Sequence, residues 1–185
     1  MGVALPSTRL EDGAVLLRPW ENDDAPALAR ACQDPEIPRW TVVPSPYSET
    51  TARSWIELQA ERRASGEAAE LAVIDAASSR LTGAVGIVLT DRPHRRGEVG
   101  YWIAAEARGR GLATRAVRLI ARWGFETLSL ARIELLAHPD NHVSQRVAVA
   151  AGFREEGRLR SYREMKGERV DFLIFSMLPG DSSAP

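Results

Sequence analysis

The stretch that most restricts what this chain can fold into runs from Gly97 to Leu128. A strand-prone segment, Gly97 to Ala104, leads into Glu106-Ala-Arg-Gly-Arg-Gly-Leu-Ala-Thr114, and a helix-patterned segment follows. Leu112, Ala116, Leu119, Ile120 and Trp123 recur at spacings of three and four, while Arg115, Arg118 and Arg122 fall on the other side, so an amphipathic helix is expected. Gly109 and Gly111 permit backbone conformations and a close ligand approach that side chains would block. Free amides at the helix start, together with its dipole, make a seat for a phosphate or pyrophosphate. The same residues also read as an ordinary glycine loop that caps a helix. No Gly-Lys-Ser/Thr follows, which excludes a Walker loop, and a dinucleotide fingerprint fails at Thr114, where Gly or Ala is wanted.

The rest of the chain supplies the frame around that loop. Ala14 to Arg18 reads as a strand closed by Pro19, and Asn22 as the cap of a helix reaching about Gln33. Asp34 to Tyr47 holds four prolines and is expected to be a structured loop without regular helix. Ser48 suits the N-cap of a helix from Glu49 to Ser65 that turns Trp55, Ile56 and Leu58 inward. Three closely spaced strands, Glu70 to Asp75, Leu81 to Thr90 and Gly97 to Ala104, imply antiparallel hairpins. After the central helix come a strand, Arg132 to Ala137, and a helix, Asn141 to Ala151, with Val143, Val147, Ala150 and Ala151 on one stripe. Phe153 to Leu178 reads as two strands joined through Tyr162 to Arg169. This order is that of an α+β (mixed α/β) layer, not a run of βαβ units. With 185 residues a single domain is expected, spanning 13–178, with an N-terminal extension over 1–12 and a flexible tail over 179–185.

Composition narrows the partners. A net charge of −1 provides no chain-wide positive field, so neither nucleic acid nor a membrane surface is an expected partner. Cys32 stands alone, which excludes an intrachain disulfide and suits a reducing, cytoplasmic setting. Met1 to Asp12 lacks the basic start and apolar run of a leader. His138 and His142 have a metal-like spacing, but Pro139 breaks the helix that one-face ligation needs, so no metal is expected.

Arg108-x-x-Gly111-x-Ala113 resembles the Arg/Gln-x-x-Gly-x-Gly/Ala pyrophosphate loop of the GNAT superfamily of acyl-CoA-dependent N-acyltransferases. Glu98-Val-Gly-Tyr-Trp-Ile103, Asn141-x-x-Ser144 and Ala151-Gly152-Phe153 are similar to the RimJ/RimL-type branch, and they stand in its order. The resemblance implies a GNAT-like seven-stranded, mostly antiparallel, splayed sheet flanked by about four helices. It implies acetyl-CoA, or another short acyl-CoA, as cosubstrate. The backbone of Tyr101, Trp102, Ile103 and Ala104 would meet the pantetheine and acyl carbonyl. Arg108, Gly109, Arg110, Gly111, Leu112, Ala113 and Thr114 would hold the pyrophosphate, and Asn141 the pantetheine arm. Asn141 also reads as a simple helix cap.

Acyl transfer to an amine needs a neutral amine, a stabilised oxyanion and a proton for the departing thiolate. On the resemblance, Glu98 is the candidate base, which also reads as a solvated strand residue, and Ser144 the candidate proton donor, which also reads as a capping-region serine. Many GNAT enzymes use a tyrosine one helical turn after Ser144; Ala148 stands there. Trp40, Thr41, Tyr47, Trp55, Tyr162 and Asp171 are the candidate walls of the acceptor pocket. The expected acceptor is a primary amine on a small molecule or a protein N-terminus, and a homodimer is in keeping with this branch. The competing reading is a catalytically silent CoA-binding sensor or interaction domain, which Ala148 motivates.

Overall fold

The protein's structure is a computed structural model that describes residues 4–181. The first three residues of the expected extension and residues 182–185 of the expected tail lie outside them.

In chain order the strands are β1 (Leu10–Glu11), β2 (Val15–Pro19), β3 (Ala68–Asp75), β4 (Arg80–Asp91), β5 (Arg96–Ile103), β6 (Arg132–Ala137), β7 (Arg154–Met165) and β8 (Glu168–Met177). The helices are α1 (Ala25–Ala31), α2 (Glu36–Trp40), α3 (Glu49–Ala64), α4 (Leu112–Glu126) and α5 (His142–Ala151). The strands form one sheet in the order β1-β2-β3-β4-β5-β6-β8-β7. All neighbours are antiparallel except β5 and β6, which run parallel. The parallel pair holds only over Arg96↔Arg132, Gly97↔Ile133 and Glu98↔Glu134. Beyond Glu98 the two strands separate, and the gap between them positions the site.

Because side chains alternate along a strand, each face of the sheet has its own layer. Leu71, Val85, Ile87, Val99, Ile133, Leu135 and Phe175 pack with Leu112, Ala116, Ile120 and Trp123 of α4. On the opposite face Leu28, Cys32, Ile37, Tyr47, Ala52 and Ile56 form a second cluster, against which Trp20, Trp55 and Trp102 rest.

Several local expectations are corrected. The sheet has eight strands, not seven, because Leu10 and Glu11 add a short edge against Leu17 and Leu16. Five α-helices replace about four, since the proline-rich segment contains α2. Pro38 is tolerated there because it lies in the first turn, where amides lack an intrahelical partner. The helix expected from Asn22 begins as a 3-10 turn capped by Glu21, and α1 starts only at Ala25. Leu58 is 47% exposed, whereas Gln59 is buried, because Ala52, Ile56 and Gln59 share the inner face of α3. On α5 the core face is Ala148 and Ala151, while Val143 is exposed.

Candidate active site

A cleft of about 920 Å³ passes through the gap between β5 and β6. At one end it is walled by backbone. Gly109 and Gly111 take left-handed φ values of +74° and +75°, and a Cβ on either would meet nothing within 4 Å. The amides of Gly109, Arg110, Gly111, Leu112, Ala113 and Thr114 have no hydrogen-bond partner among the described residues; the next, Arg115, donates to the Gly111 carbonyl. Six unsatisfied donors at a helix N-terminus, with open space above the glycines, match a pyrophosphate in charge and shape.

The two loop arginines do something the sequence did not indicate. Arg108 donates Nε to the Ile103 carbonyl at 3.0 Å and pairs with Asp34, while Arg110 reaches Asp75 at 3.0 Å. Their guanidinium groups staple the loop to α1's end and to β3. The anion seat is left chiefly to amides.

Midway along the cleft lie Tyr101, Trp102, Ile103 and Asn141. Ala104, fully buried, anchors the end of β5 by donating its amide to the Thr82 carbonyl at 2.9 Å. Asn141 accepts from the Ser144 amide at 3.0 Å, which uses its carbonyl as a cap and leaves its NH₂ free to donate. The Tyr101 hydroxyl donates to Ser144 Oγ at 3.1 Å. Burial pushes the Tyr101 phenol up to about 12, so this proton stays on tyrosine near neutrality. The serine hydroxyl proton is then free to point into the cleft. Ala148, wholly buried, leaves this level to the Tyr101–Ser144 pair.

The other end is built from side chains on the α3 face. Glu98 lines it with both carboxylate oxygens held by Arg163, at 3.2 and 2.8 Å. Trp40 donates Nε1 to Glu36 at 3.0 Å and packs on His138 at 5.5 Å, which in turn meets Phe172 edge-on. Tyr47 and Trp55 join the wall, the former nearly buried. Thr41 lines it too, its hydroxyl spent on the Ile37 carbonyl. Tyr162 is 47% exposed and stands outside the cleft lining, covering the back of Phe172. Asp171 is likewise outside, accepting from Arg158 and the Ser161 amide to brace the terminal hairpin.

The model of the GNAT acetyltransferase domain matches residues 14–154. The chain belongs to the GNAT acetyltransferase family. Uncharacterized N-acetyltransferase p20 of Bacillus licheniformis is 31% identical over 163 residues, which cover 88% of this chain and 91% of that protein. Spermidine N(1)-acetyltransferase of Escherichia coli is 36% identical over 77 residues, 42% of this chain and 41% of its own. Among solved structures, Mycobacterium smegmatis RimJ in complex with CoA-disulfide superposes with a TM-score of 0.85 at 25% identity, covering 96% of this chain and 89% of that one. The protein is therefore a GNAT acetyltransferase with RimJ-type neighbours, and enzymes of this family use acetyl-CoA.

Within this GNAT domain, charged and aromatic residues of the acceptor end that escaped the sequence reading include Glu36, Arg62, Glu70, His138 as a wall residue, Arg163 and Phe172. Arg163 and His138 carry no local signal, since a hairpin strand and a loop bring them in from far along the chain. Glu70 had one. It is the only charged residue in the run Ala68 to Ile74, and an acid inside an apolar run needs a reason. Among the described residues no cluster of three or more His, Cys, Asp or Glu could hold a metal, and no helix is long and apolar enough to cross a membrane.

Proposed function

We propose that this GNAT enzyme transfers acetyl from acetyl-CoA to a primary amine by direct attack within a ternary complex. The observation that carries this reading is the cleft itself, with unpaired amides at one end, a strand gap in the middle and carboxylates at the other. The amides of Gly109 to Thr114 would hold the pyrophosphate, the freed edge of β5 and the Asn141 NH₂ the pantetheine arm, and the acyl carbonyl would face β5 amides. Glu98, oriented by Arg163, accepts a hydrogen bond from the attacking nitrogen and points its lone pair at the gap. Ser144, whose oxygen already accepts from Tyr101, hands its proton to the departing sulfur. That relay supplies at this level what Ala148 cannot, and it favours turnover over the sensor reading.

The acceptor we propose is a cationic amine on a small molecule or a protein N-terminus. Two partly buried carboxylates, Glu70 and Glu98, and the Trp40 and Trp55 rings suit an ammonium arriving on an apolar carrier. The test is thiol release from acetyl-CoA and succinyl-CoA over a panel of amines and N-terminal peptides. Release with an amine, reduced in Glu98→Gln while acetyl-CoA affinity stays unchanged, supports the reading. Tight acetyl-CoA binding with no release on any amine supports the sensor instead.

A further inference from the structure

Glu70 lies on β3 between Ala69 and Leu71, which face the α4 layer, so its own side chain is turned to the acceptor face. Its row across the sheet is Gly86 on β4 and Gly100 on β5. A Cβ on Gly86 would come within 2.0 Å of Glu70 Oε2. The carboxyl therefore lies on the Gly86 backbone, in the space a side chain would take, and reaches over β4 toward β5. At Gly100 a Cβ would meet nothing within 4 Å, so the next place in the row is open. Neighbouring strands are about 4.8 Å apart, which sets the carboxyl roughly one strand spacing from Gly100, where β5 leaves β6. Two glycines in one row form a bare floor running from Glu70 to the gap.

The carboxyl is otherwise unengaged. No hydrogen-bond donor reaches it among the described residues. Arg62 of α3 faces it, but that guanidinium is held by Glu67 at 2.7 Å and only partly offsets the effect of burial. The other ionisable side chains of this wall have partners of their own: Glu98 has Arg163, Glu36 has Trp40 and Arg39, and His138 accepts the Asp140 amide at Nδ1 and packs between Trp40 and Phe172. Cys32 and Tyr47, from the α1 and α2 side, stay neutral because burial pushes both up to about 12. Burial likewise raises the Glu70 carboxyl to about 7, where a carboxylate is both present at neutral pH and basic enough to draw a proton from an ammonium.

We infer that Glu70, lying across Gly86, is the base that takes the acceptor ammonium's proton, directly or through one water over Gly100, while Glu98 orients the resulting amine. This rests on the acetyl-transfer reading above. The first ammonium proton passes to the Glu70 carboxylate. The nitrogen lone pair forms the C–N bond as the C–S bond breaks, the sulfur leaving with that electron pair. The nitrogen's second proton reaches the thiolate through Ser144. Glu70 finally returns its proton to solvent, so one amide, one thiol and one proton leave for each ammonium and thioester consumed.

The experiment is steady-state kinetics from pH 5.5 to 9 with acetyl-CoA and the best amine of the panel, for wild type, Glu70→Gln, Glu70→Asp and Glu98→Gln, alongside a carboxyl carbon NMR titration of wild type and Glu70→Gln. In wild type, kcat/KM for the amine is expected to rise with pH through a limb near 7, matched by a carboxyl resonance that titrates there and is missing from Glu70→Gln. Glu70→Gln should lose about a hundredfold in kcat and the limb, with acetyl-CoA affinity unchanged. Glu70→Asp should recover part of the rate. Glu98→Gln should raise KM for the amine and keep the limb. A Glu70→Gln enzyme with wild-type kcat and limb overturns the inference while leaving acetyl transfer standing, as does a limb lost only in Glu98→Gln. A wild type that binds acetyl-CoA and acetylates no amine overturns the acetyl-transfer reading, and this inference with it.

Discussion

The two ends of the cleft are built on different principles. The anion end consists of backbone amides from six consecutive residues, Gly109 to Thr114, at the start of one helix. The acceptor end consists of side chains from α2, α3, β3, β5, β7, β8 and the loop after β6, with Glu98 held by a residue 65 positions away. Backbone donors present the same chemistry whatever the side chains are, so the first end suits a constant cosubstrate. Side chains gathered from distant segments can change one at a time, and such an end is suited to distinguishing acceptors.

Substitutions at glycine separate the two ends most sharply. Gly86→Ala puts a methyl where the Glu70 carboxyl lies, and because that carboxyl is the far end of a flexible side chain the fold should adjust readily. Loss of about a hundredfold in kcat, with acetyl-CoA affinity unchanged by calorimetry, is the expected outcome. Gly111→Val acts on the other end. A β-branched residue at φ +75° carries about 1–2 kcal/mol of strain and fills the space above the loop. Acetyl-CoA affinity should fall by more than about tenfold, with KM for the amine unchanged at saturating acetyl-CoA. Amine kinetics that moved with Gly111→Val, or acetyl-CoA affinity that moved with Gly86→Ala, would dissolve the comparison.

Between the ends, Ser144→Ala should lower kcat by about tenfold and leave both affinities in place, with Tyr101→Phe weaker in the same direction. The smallest effect expected is on stability. The Glu70 carboxyl is raised from its ordinary value to about 7 by burial, so the folded chain holds this proton more tightly than the unfolded chain. Its contribution to stability is complete below about pH 4.5 and is lost as pH rises through 7. Glu70→Gln has no charge to bury, and its Tm relative to wild type should climb between pH 5 and 8 and level off above. An advantage of about 2 kcal/mol, or roughly 5 °C, is expected once cleft water is allowed for. A Tm difference independent of pH would show that Glu70 is an ordinary solvated carboxylate.

How much of this was legible in sequence depended on how local the physics was. The amphipathic α4, the Ser48 cap that accepts from the Thr51 amide, the meander and the phosphate loop all express rules that act within a few residues. So does Asn141, read both as a cap and as a cosubstrate contact, and the structure has its carbonyl capping α5. Leu58 failed because hydrophobicity was read without its angle on the helix. α2 failed because Pro38 was read without its place in the first turn. Val143, Val147 and Ala150 are an apolar stripe, as their spacing suggested, and it lines the cleft, with Val147 also packing on the core.

By itself, then, the sequence determined the order of the main elements, without β1 and α2, the glycine loop that bares six amides, and the family to which that pattern belongs. Only the tertiary structure decided which carboxylates share the acceptor face of the sheet and which of them has no hydrogen-bond donor among the described residues. Arg163 reaches Glu98 from the part of the β7–β8 hairpin that runs past the last β6–β8 pair, Ala137↔Leu173, and Glu70 reaches toward the gap because Gly86 and Gly100 fall in its row. A helix N-terminus arises from consecutive residues, but a carboxyl's neighbours and its burial are set by strand register, which no local pattern encodes.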